Sequence, residues 1–368
     1  MNEFANRLID LAIDIQQIPA PTFEEAKRAK FIRKLFVKEN LQDVSIDKTG
    51  NVYGRLPRVQ GQKSDAKPLI VSAHMDTVFP ADTDLSIKRQ SERVYGPGLG
   101  DNSLGVATLF GLIWMLRERN IELGGDVWFV ANVCEEGLGD LRGMKAVVDR
   151  FGAGVRAYLV IEGLALGHIY HRAVGVKRYR VTARTTGGHS WSDYGKPSAI
   201  HELSRLVVQL AALELPGQPR TTMNVGKIAG GTSVNVIASE AMLDLDLRSE
   251  EQQPLMQLVS AAEKLIHAAN RQGVNIEAQV IGQRPVGEVG ANHPLVKLAE
   301  ECLHEQGLEA ALISGSTDAN VPLSMGYPAI VLGVTTGGGA HTKHEYINTA
   351  PVTQGMEQLV RFVERVWE

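Results

Sequence analysis

Seven side chains are of the types that bind divalent metal ions or activate water. They are His74, Asp76, Asp101, Glu135, Glu136, Glu162 and His341. Imidazole nitrogens and carboxylate oxygens are usual ligands of zinc-like ions. His74 and Asp76 are two residues apart, so on an extended backbone their side chains point to the same side. Either both bind an ion, or one binds it while the other orients its neighbour, although an ordinary surface His–Asp contact would have the same spacing.

Several of these residues follow apolar segments that are typical of buried strands. The carboxyl ends of parallel strands meet at one edge of an open α/β sheet, where ligands collect. We therefore expect the acidic and imidazole groups to converge at that edge. The segments are residues 68–71 before His74, residues 126–134 before Glu135 and Glu136, and residues 157–161 before Glu162.

The charge of the set favours two metal ions over one. Three ionised carboxylates, Asp101, Glu136 and Glu162, oppose the four positive charges of two divalent ions, and a bridging hydroxide balances the sum. Without cations, several carboxylates around one cleft would be costly to ionise together. Two zinc-like ions about 3.5–4 Å apart, bridged by one carboxylate and a water, suit the set. Asp76 then fits as the partner that holds the His74 ring.

A glycine-rich segment, residues 95–105, precedes an apolar helix predicted over residues 103–117. Such a loop could also cradle a phosphate. The dinucleotide-binding spacing fails, because a GxGxxG pattern starting at Gly96 would need glycine in place of Asp101, and the Walker lysine is absent. We interpret the glycines as allowing a tight turn that presents Asp101 near the start of the helix.

Composition excludes several classes of protein. The chain has 368 residues, 44% of them hydrophobic, and a formal net charge of −4, so it can bury a large core. The sequence contains no block of lysines or arginines, so we do not expect nucleic acid as a partner. The apolar runs are short, which predicts no membrane span, and the first residues lack the pattern of a signal peptide. Two cysteines make no disulfide framework, so we expect a reducing cytoplasm.

Strand and helix patterns alternate, which predicts the α/β class with a mainly parallel sheet. From about residue 176 the pattern changes to β-α-β-β-α-β, the order of a ferredoxin-like unit. We predict a catalytic domain of residues 1–175 and 289–368, interrupted by an inserted α+β domain of residues 176–288. Near the N-terminus, Thr22 heads Thr-Phe-Glu-Glu, which predicts a helix cap.

The ordered motifs of the whole chain resemble the M20 family of metallopeptidases. The resemblance implies a zinc-exopeptidase fold with the inserted domain as a lid, and a role for each residue of the site. The motifs are Ser-Ala-His74-Met-Asp76-Thr-Val, Gly-Leu-Gly-Asp101-Asn-Ser-Leu-Gly, Glu135-Glu136-Gly, Glu162-Gly and Ala-His341-Thr-Lys-His-Glu345. The implied roles are His74 and Glu162 on one ion, Glu136 and His341 on the other, Asp101 bridging both, and Glu135 as general base.

In the lid, the resemblance implies that His189 stabilises the oxyanion and that Arg248 with Asn235 holds a substrate carboxylate. His344 is a rival of His341, but the family's ligand stands four residues before the final glutamate, which favours His341. The segment Lys343-His344-Glu345 resembles the peptidase T branch of the family, which implies that His344 shapes substrate binding. The aminopeptidase branch of the family usually has aspartate where this chain has Glu162, whereas its carboxypeptidases and deacylases have glutamate.

These observations predict a hydrolase of amide bonds in short peptides, an exopeptidase acting on di- or tripeptides. Its cofactors are two divalent ions, Zn²⁺ first, with Mn²⁺ or Co²⁺ as alternatives. The second hypothesis is a deacylase of N-acyl amino acids that uses the same site, and the third is a metal-stabilised binding protein without catalysis. The expected partners are the small substrate and, as an option, a second copy bound through the lid.

Overall fold

We describe residues 3–58 and 66–368 of a computed structural model of the chain. The chain folds into two compact units. Unit 1 comprises the residues up to Ala173 together with Gly287–Glu368, and unit 2 comprises Val174–Val286. The sequence predicted that the inserted domain begins after residue 175 and ends at residue 288. In the structure unit 2 begins after residue 173 and ends at residue 286, so each predicted boundary differs by two residues.

The elements are numbered along the chain. The helices are α1 (Glu3–Gln16), α2 (Ala26–Lys38), α3 (Leu104–Glu118), α4 (Arg142–Phe151), α5 (Ala199–Ala211), α6 (Gln252–Ala268), α7 (Pro294–Glu305), α8 (Asn320–Ser324) and α9 (Val352–Arg365). The strands are β1 (Gln42–Ile46), β2 (Val52–Leu56), β3 (Leu69–His74), β4 (Lys88–Arg89), β5 (Arg93–Tyr95), β6 (Val127–Asn132), β7 (Ala157–Glu162), β8 (His168–Ala173), β9 (Gly175–Thr185), β10 (Gly188–His189), β11 (Thr221–Gly230), β12 (Val236–Ile237), β13 (Glu240–Ser249), β14 (Val274–Arg284), β15 (Gly287–Glu288), β16 (Ala311–Gly315), β17 (Ala329–Gly333), β18 (Gly337–Gly338) and β19 (Tyr346–Asn348).

Unit 1 is built on one large sheet with the order β1-β2-β6-β3-β7-β17-β8-β15, and β16 pairs with β8. The central run from β6 to β17 is parallel throughout, while β1, β2 and β15 pair antiparallel with their neighbours. Every residue of β3 is buried, as expected for a strand covered on both faces. The prediction of a mainly parallel α/β sheet is confirmed for this central part.

The helices of unit 1 differ in how they are buried. Of the 15 residues of α3, only three are not buried, so its apolar sequence belongs to a core helix. By length and composition alone, Leu99–Glu118 could cross a membrane, but 89% of its apolar window is buried inside the protein. Helices α1 and α9 instead bury one apolar face, as their helical periodicity predicts.

Unit 2 has a four-stranded antiparallel sheet with the order β11-β13-β9-β14. Along β13, buried residues alternate strictly with less buried ones, because one face of the sheet packs against a hydrophobic cluster. Helices α5 and α6 contribute the apolar residues of that cluster. The opposite face carries cross-strand ion pairs, including Arg178 with Asp246 and Arg180 with Asp244. Apart from the two-residue strands β10 and β12, the strand and helix order is the predicted β-α-β-β-α-β.

Candidate metal centre

His74 is the last residue of β3, and its ring is buried. The ring atom Nδ1 lies 3.1 Å from the backbone oxygen of Asp76. A carbonyl oxygen can only accept, so Nδ1 carries the proton and donates it. In the metal-free protein Nε2 faces the Asp101 carboxylate, and once it gives up its proton its lone pair is available to a metal ion, the arrangement expected of a ligating histidine.

The Asp76 carboxylate, which we predicted to hold the His74 ring, makes its closest hydrogen bonds to other groups. Its nearer oxygen is 3.6 Å from Nδ1 of His74, which is too long for a hydrogen bond. It accepts instead from the backbone N–H groups of Glu135 and Glu136, each at 2.9 Å. The ring is thus held by the backbone carbonyl of Asp76, while the carboxylate holds the Glu135–Glu136 backbone.

Thr22 completes the shell of Asp76. Its hydroxyl donates to the second carboxylate oxygen at 2.9 Å. The sequence predicted Thr22 as a helix cap, but α2 begins only at Ala26, with Glu25 at the cap position, so that prediction was wrong. Burial alone would raise the pKa of Asp76, but the nearby His74 ring and the two backbone N–H donors outweigh it, and the pKa lies below the usual aspartate range.

Asp101 lies on the irregular helical turn Leu99–Ser103 that leads into α3, and its peptide bond to Asn102 is cis. The Asn102 side chain fixes this turn against the end of β7. Its Nδ2 donates to Ile161 O, and its Oδ1 accepts from the backbone N–H of Gly163, each at 2.9 Å. A Cβ at position 105 would lie 2.0 Å from the Asn102 oxygen, so glycine is required there.

The carboxylate of Asp101 has one oxygen directed to each of two histidines. Oδ1 is 3.2 Å from Nε2 of His74, and Oδ2 is 2.9 Å from Nε2 of His341. Burial would raise the pKa of Asp101, but hydrogen bonds from the two imidazoles hold it well below the usual range. A carboxylate between two histidine nitrogens has the geometry of a bridging ligand.

Two further carboxylates extend this pair of contacts. Glu162 lies 3.8 Å from Nε2 of His74, and Glu136 lies 3.3 Å from Nε2 of His341. Burial raises the pKa of Glu162 well above its usual value, and the neighbouring acids add to this. Hydrogen bonds with Asp101 and Glu136 raise the pKa of His341 to about 10. The acids and histidines therefore compensate one another's charge in the metal-free protein.

The ligand atoms fall into groups that suit two metal ions. The first comprises His74, Asp101 and Glu162, and the second Asp101, Glu136 and His341; within each, the ligand atoms lie within 4.8 Å of one another. Asp101 belongs to both. Mixed imidazole and carboxylate donors with one shared carboxylate fit a pair of zinc-like ions. Unit 1 thus brings together all five predicted ligands.

Glu135 lies beside these groups without belonging to the two that share Asp101. Its ligand atom lies within 4.8 Å of those of His74 and Glu136, and its side chain is buried. The chain reaches this position through Cys134, which adopts a left-handed backbone conformation with φ 59°. That turn after β6 directs two successive carboxylates toward one centre. His344, by contrast, is exposed, and its backbone N–H donates to the Thr342 hydroxyl at 3.2 Å.

In unit 2, His189 and Asn235 lie on neighbouring segments of the chain. Strands β10 and β12 pair, with His189 opposite Val236, and the backbone N–H of Ser190 donates to Asn235 O at 3.0 Å. Nδ1 of His189 accepts from the backbone N–H of Trp191 at 3.2 Å. The proton of the neutral ring is therefore on Nε2, so His189 can donate a hydrogen bond from an exposed position.

The sequence suggested that Arg248 lies beside Asn235, but the structure separates the two residues. Arg248 lies eight residues along β13 from Glu240, roughly 27 Å at about 3.4 Å per residue. Asn235 lies before Glu240, at the other end of the strand. The guanidinium of Arg248 is engaged by Asp246, with Nε donating to Oδ1 at 2.6 Å and Nη2 to Oδ2 at 3.3 Å.

Two residues support the centre although we assigned them no role in it from the sequence. Arg28 is fully buried, and its Nη1 donates to the carbonyl of Met75, between His74 and Asp76, at 2.6 Å. Burial lowers the pKa of Arg28 to about 10. Glu345 accepts three backbone N–H bonds around Asp101. For Arg28 the sequence offered no signal, and Glu345 appeared only as the marker four residues after His341.

The fold and the site are those of a metal-dependent hydrolase. The sequence profile described as Peptidase family M20/M25/M40 matches residues 70–365, and the chain belongs to this family. It is 26% identical to an uncharacterized protein, YqjE, of Bacillus subtilis, over 97% of this chain and 98% of the relative. It is 25% identical to succinyl-diaminopimelate desuccinylase of Corynebacterium glutamicum, over 91% and 90% of the two chains.

Solved structures share the fold over almost the full length. The aminopeptidase PepT of Bacillus cereus has a TM-score of 0.79 at 24% identity, with 99% of each chain covered. A tripeptidase of Staphylococcus aureus has a TM-score of 0.82 at 22% identity, covering 99% of this chain and 98% of that one. At these identities the likeness defines the fold, not the substrate.

Proposed function

We propose that this protein is a two-metal hydrolase of amide bonds in short peptides, acting as an exopeptidase on di- or tripeptides. The observation that carries the proposal is the pair of ligand groups that share Asp101, with the buried Glu135 beside them. His74 and Glu162 would hold one ion and Glu136 and His341 the other. A binding protein without catalysis would need the ligands but no additional carboxylate such as Glu135.

When bound, Zn²⁺, Mn²⁺ or Co²⁺ ions polarise a substrate carbonyl and lower the pKa of a water molecule. This chain's residues then handle the proton. Glu135 takes a proton from the attacking water and delivers it to the leaving amine. Its backbone N–H is fixed by Asp76, which orients the segment from which the Glu135 side chain extends. The conversion of one peptide bond thus needs one carboxylate that alternates between base and acid.

His189 is proposed as the donor to the oxyanion. Its Nε2 carries the proton because Nδ1 accepts from the backbone, so the ring donates without having to be charged. Asn235 supplies a second polar group on the neighbouring segment. These roles follow from the family resemblance and from the tautomer, and they remain proposals.

Arg248 is proposed to bind a substrate carboxylate, for which the two parallel N–H groups of a guanidinium are suited. In unit 2 Arg248 pairs with Val176 at the start of β9, whereas His189 follows the other end of β9, after Thr185. The strand between spans roughly 27 Å at about 3.4 Å per residue, further than a short peptide extends. If both contact one substrate, they come from two copies of the chain. This supports the homodimer through unit 2 as part of the proposal. The cytoplasmic location remains a prediction.

The second candidate function is deacylation of N-acyl amino acids at the same site. Glu162 favours it, because the family's deacylases and carboxypeptidases have glutamate there. Relatives point the same way: the chain is 22% identical over 67% of its length to N-acetylcysteine deacetylase of Bacillus subtilis, and the desuccinylase named above is another acyl hydrolase. His344 is exposed and lies three residues after His341 in sequence. We propose that it shapes the substrate subsite for either kind of substrate.

A substrate panel after metal reconstitution tests these proposals. The apoprotein is loaded in turn with Zn²⁺, Mn²⁺ and Co²⁺ and assayed with dipeptides, tripeptides and N-acyl amino acids. Hydrolysis of peptides that is lost on chelation and restored by metal supports the main proposal, and cleavage of only N-acyl amino acids supports the second. Tight binding of two ions with no turnover on any substrate would leave the binding protein as the correct hypothesis.

A further inference from the structure

Glu345 is a fully buried carboxylate that accepts hydrogen bonds from backbone N–H groups of the Asp101 turn. Its Oε2 accepts from Gly98 at 2.9 Å. Its Oε1 accepts from Gly100 at 2.6 Å and from Asp101 at 2.9 Å. Three N–H groups on one segment thus converge on one side chain from 244 to 247 residues away in sequence.

The same residue fixes the segment that carries His341, four residues earlier. The backbone N–H of Glu345 donates to Thr342 O at 3.2 Å, and its carbonyl accepts from Gly96 at 3.0 Å. Immediately after it, β19 pairs with β5. Glu345 therefore belongs to the His341 segment by its backbone and to the Asp101 turn by its side chain.

This arrangement joins two ligands that meet at one proposed ion. Oδ2 of Asp101 is 2.9 Å from Nε2 of His341. His341 has a left-handed backbone conformation, with φ 64°, and its side chain is 56% exposed, so local packing constrains it little. The link through Glu345 therefore constrains the separation of the two segments that carry these ligands.

We propose that Glu345 is a positioning residue that sets the affinity of the Asp101–Glu136–His341 group for its metal ion. The proposal rests on the two-metal function above. Glu345 would not touch the ion. It orients the turn that carries Asp101 and keeps it against the His341 segment, as outer hydrogen-bond partners do at other metal sites.

The test is stepwise Zn²⁺ and Co²⁺ titration of metal-free protein, with chelator competition, on Glu345→Gln. The amide can accept through one oxygen only, and its NH₂ group must face at least one backbone N–H of the turn. We expect one ion to bind about 10–100-fold more weakly, the usual effect of losing an outer partner, while the other is less affected. The visible spectrum of the weakened Co²⁺ ion should change as well.

The matched control is Glu202→Gln, the same exchange at a buried glutamate of unit 2. Glu202 accepts from Arg205 and Arg271, each at 2.6 Å, and unit 2 contains none of the proposed metal ligands. This variant should lose stability without any change in metal affinity. Glu345→Asp, which keeps the charge but is one methylene shorter, should retain part of the affinity.

The outcomes are distinguishable. If the wild-type protein binds no ion, the proposed function fails. If it binds two ions and both Glu345 variants bind them equally tightly, the inference is overturned while the function stands. Circular dichroism of the metal-free variants checks their folding. If Glu345→Asp is unfolded without metal while the wild-type apoprotein is folded, Glu345 is a residue of the fold and the inference is again wrong.

Discussion

Replacing Asp76 by asparagine separates two possible roles of its carboxylate. In the structure, the carboxylate accepts from the backbone of Glu135 and Glu136 and from the Thr22 hydroxyl, whereas the His74 ring is held by the Asp76 carbonyl. Asparagine keeps the shape and the backbone carbonyl but has one accepting oxygen. Whichever way the amide turns, its NH₂ group meets a backbone N–H.

The magnitude follows from these contacts. One buried N–H group loses its acceptor, which costs about 1–3 kcal/mol, and the remaining bond loses the benefit of a charged acceptor, about 1 kcal/mol more. We therefore expect Asp76→Asn to lower the free energy of unfolding of unit 1 by about 2–4 kcal/mol. Because Glu135 is displaced, kcat should also fall, within the range of about 10²–10⁴-fold that spans loss of a general base.

The assay combines urea unfolding of the metal-free protein, metal titration, and kcat at saturating metal on the best substrate of the panel. Metal affinity should change less than tenfold, since the ring of His74 keeps its hydrogen bond. Asp76→Ala, which removes both oxygens, should be less stable still. A 10–100-fold loss of metal affinity with kcat unchanged at saturating metal would refute the reasoning, because the carboxylate would then act through the His74 ring.

Three further predictions follow from the contacts above. Glu135→Gln should lower kcat by about 10²–10⁴-fold with two ions still bound, as metal analysis would check; loss of an ion would make Glu135 a ligand. Amidating the substrate's C-terminus, or Arg248→Ala, should lower kcat/KM by an amount equivalent to about 1.5–3 kcal/mol of binding free energy. If amidated and free peptides are cleaved equally well while N-acetylation prevents cleavage, the enzyme recognises the amino end instead. The hydrogen bond from Arg271 lowers the pKa of Glu202 in the folded protein. The stability that the ionised Glu202 contributes is therefore complete above its unfolded pKa and is lost as pH falls through the lower folded pKa. Glu202→Gln should lack this loss of stability in acid, which calorimetry at several pH values would measure.

The sequence was sufficient for the parts of the site that depend on strand direction. His74, Glu136 and Glu162 each follow an apolar segment, and parallel strands bring their ends to one edge, so convergence could be argued without coordinates. Asp101 needed a further step, the interpretation of glycines as a tight turn. The order of elements in unit 2 was likewise predictable, because its hydrophobic alternation is regular.

The rest depends on contacts between residues distant in sequence. Thr22 has the pattern of a helix cap, yet its hydroxyl bonds to Asp76, 54 residues away. A local motif cannot reveal such a competitor for a hydroxyl group. The separation of Arg248 from Asn235 was missed for a related reason, since the 12 residues between them can fold back or run straight, and here β13 runs straight.

The interrupted course of unit 1 has a consequence for the synthesis of the protein. β17, which lies between β7 and β8 in the sheet, and His341 both come from the segment after unit 2. Unit 2 has its own hydrophobic cluster and can close as soon as its residues leave the ribosome. The central sheet of unit 1 cannot be completed until β17, in the last quarter of the chain, has been synthesised. The apolar strand β7 lacks its β17 neighbour during that interval, which is when the chain would benefit most from a chaperone.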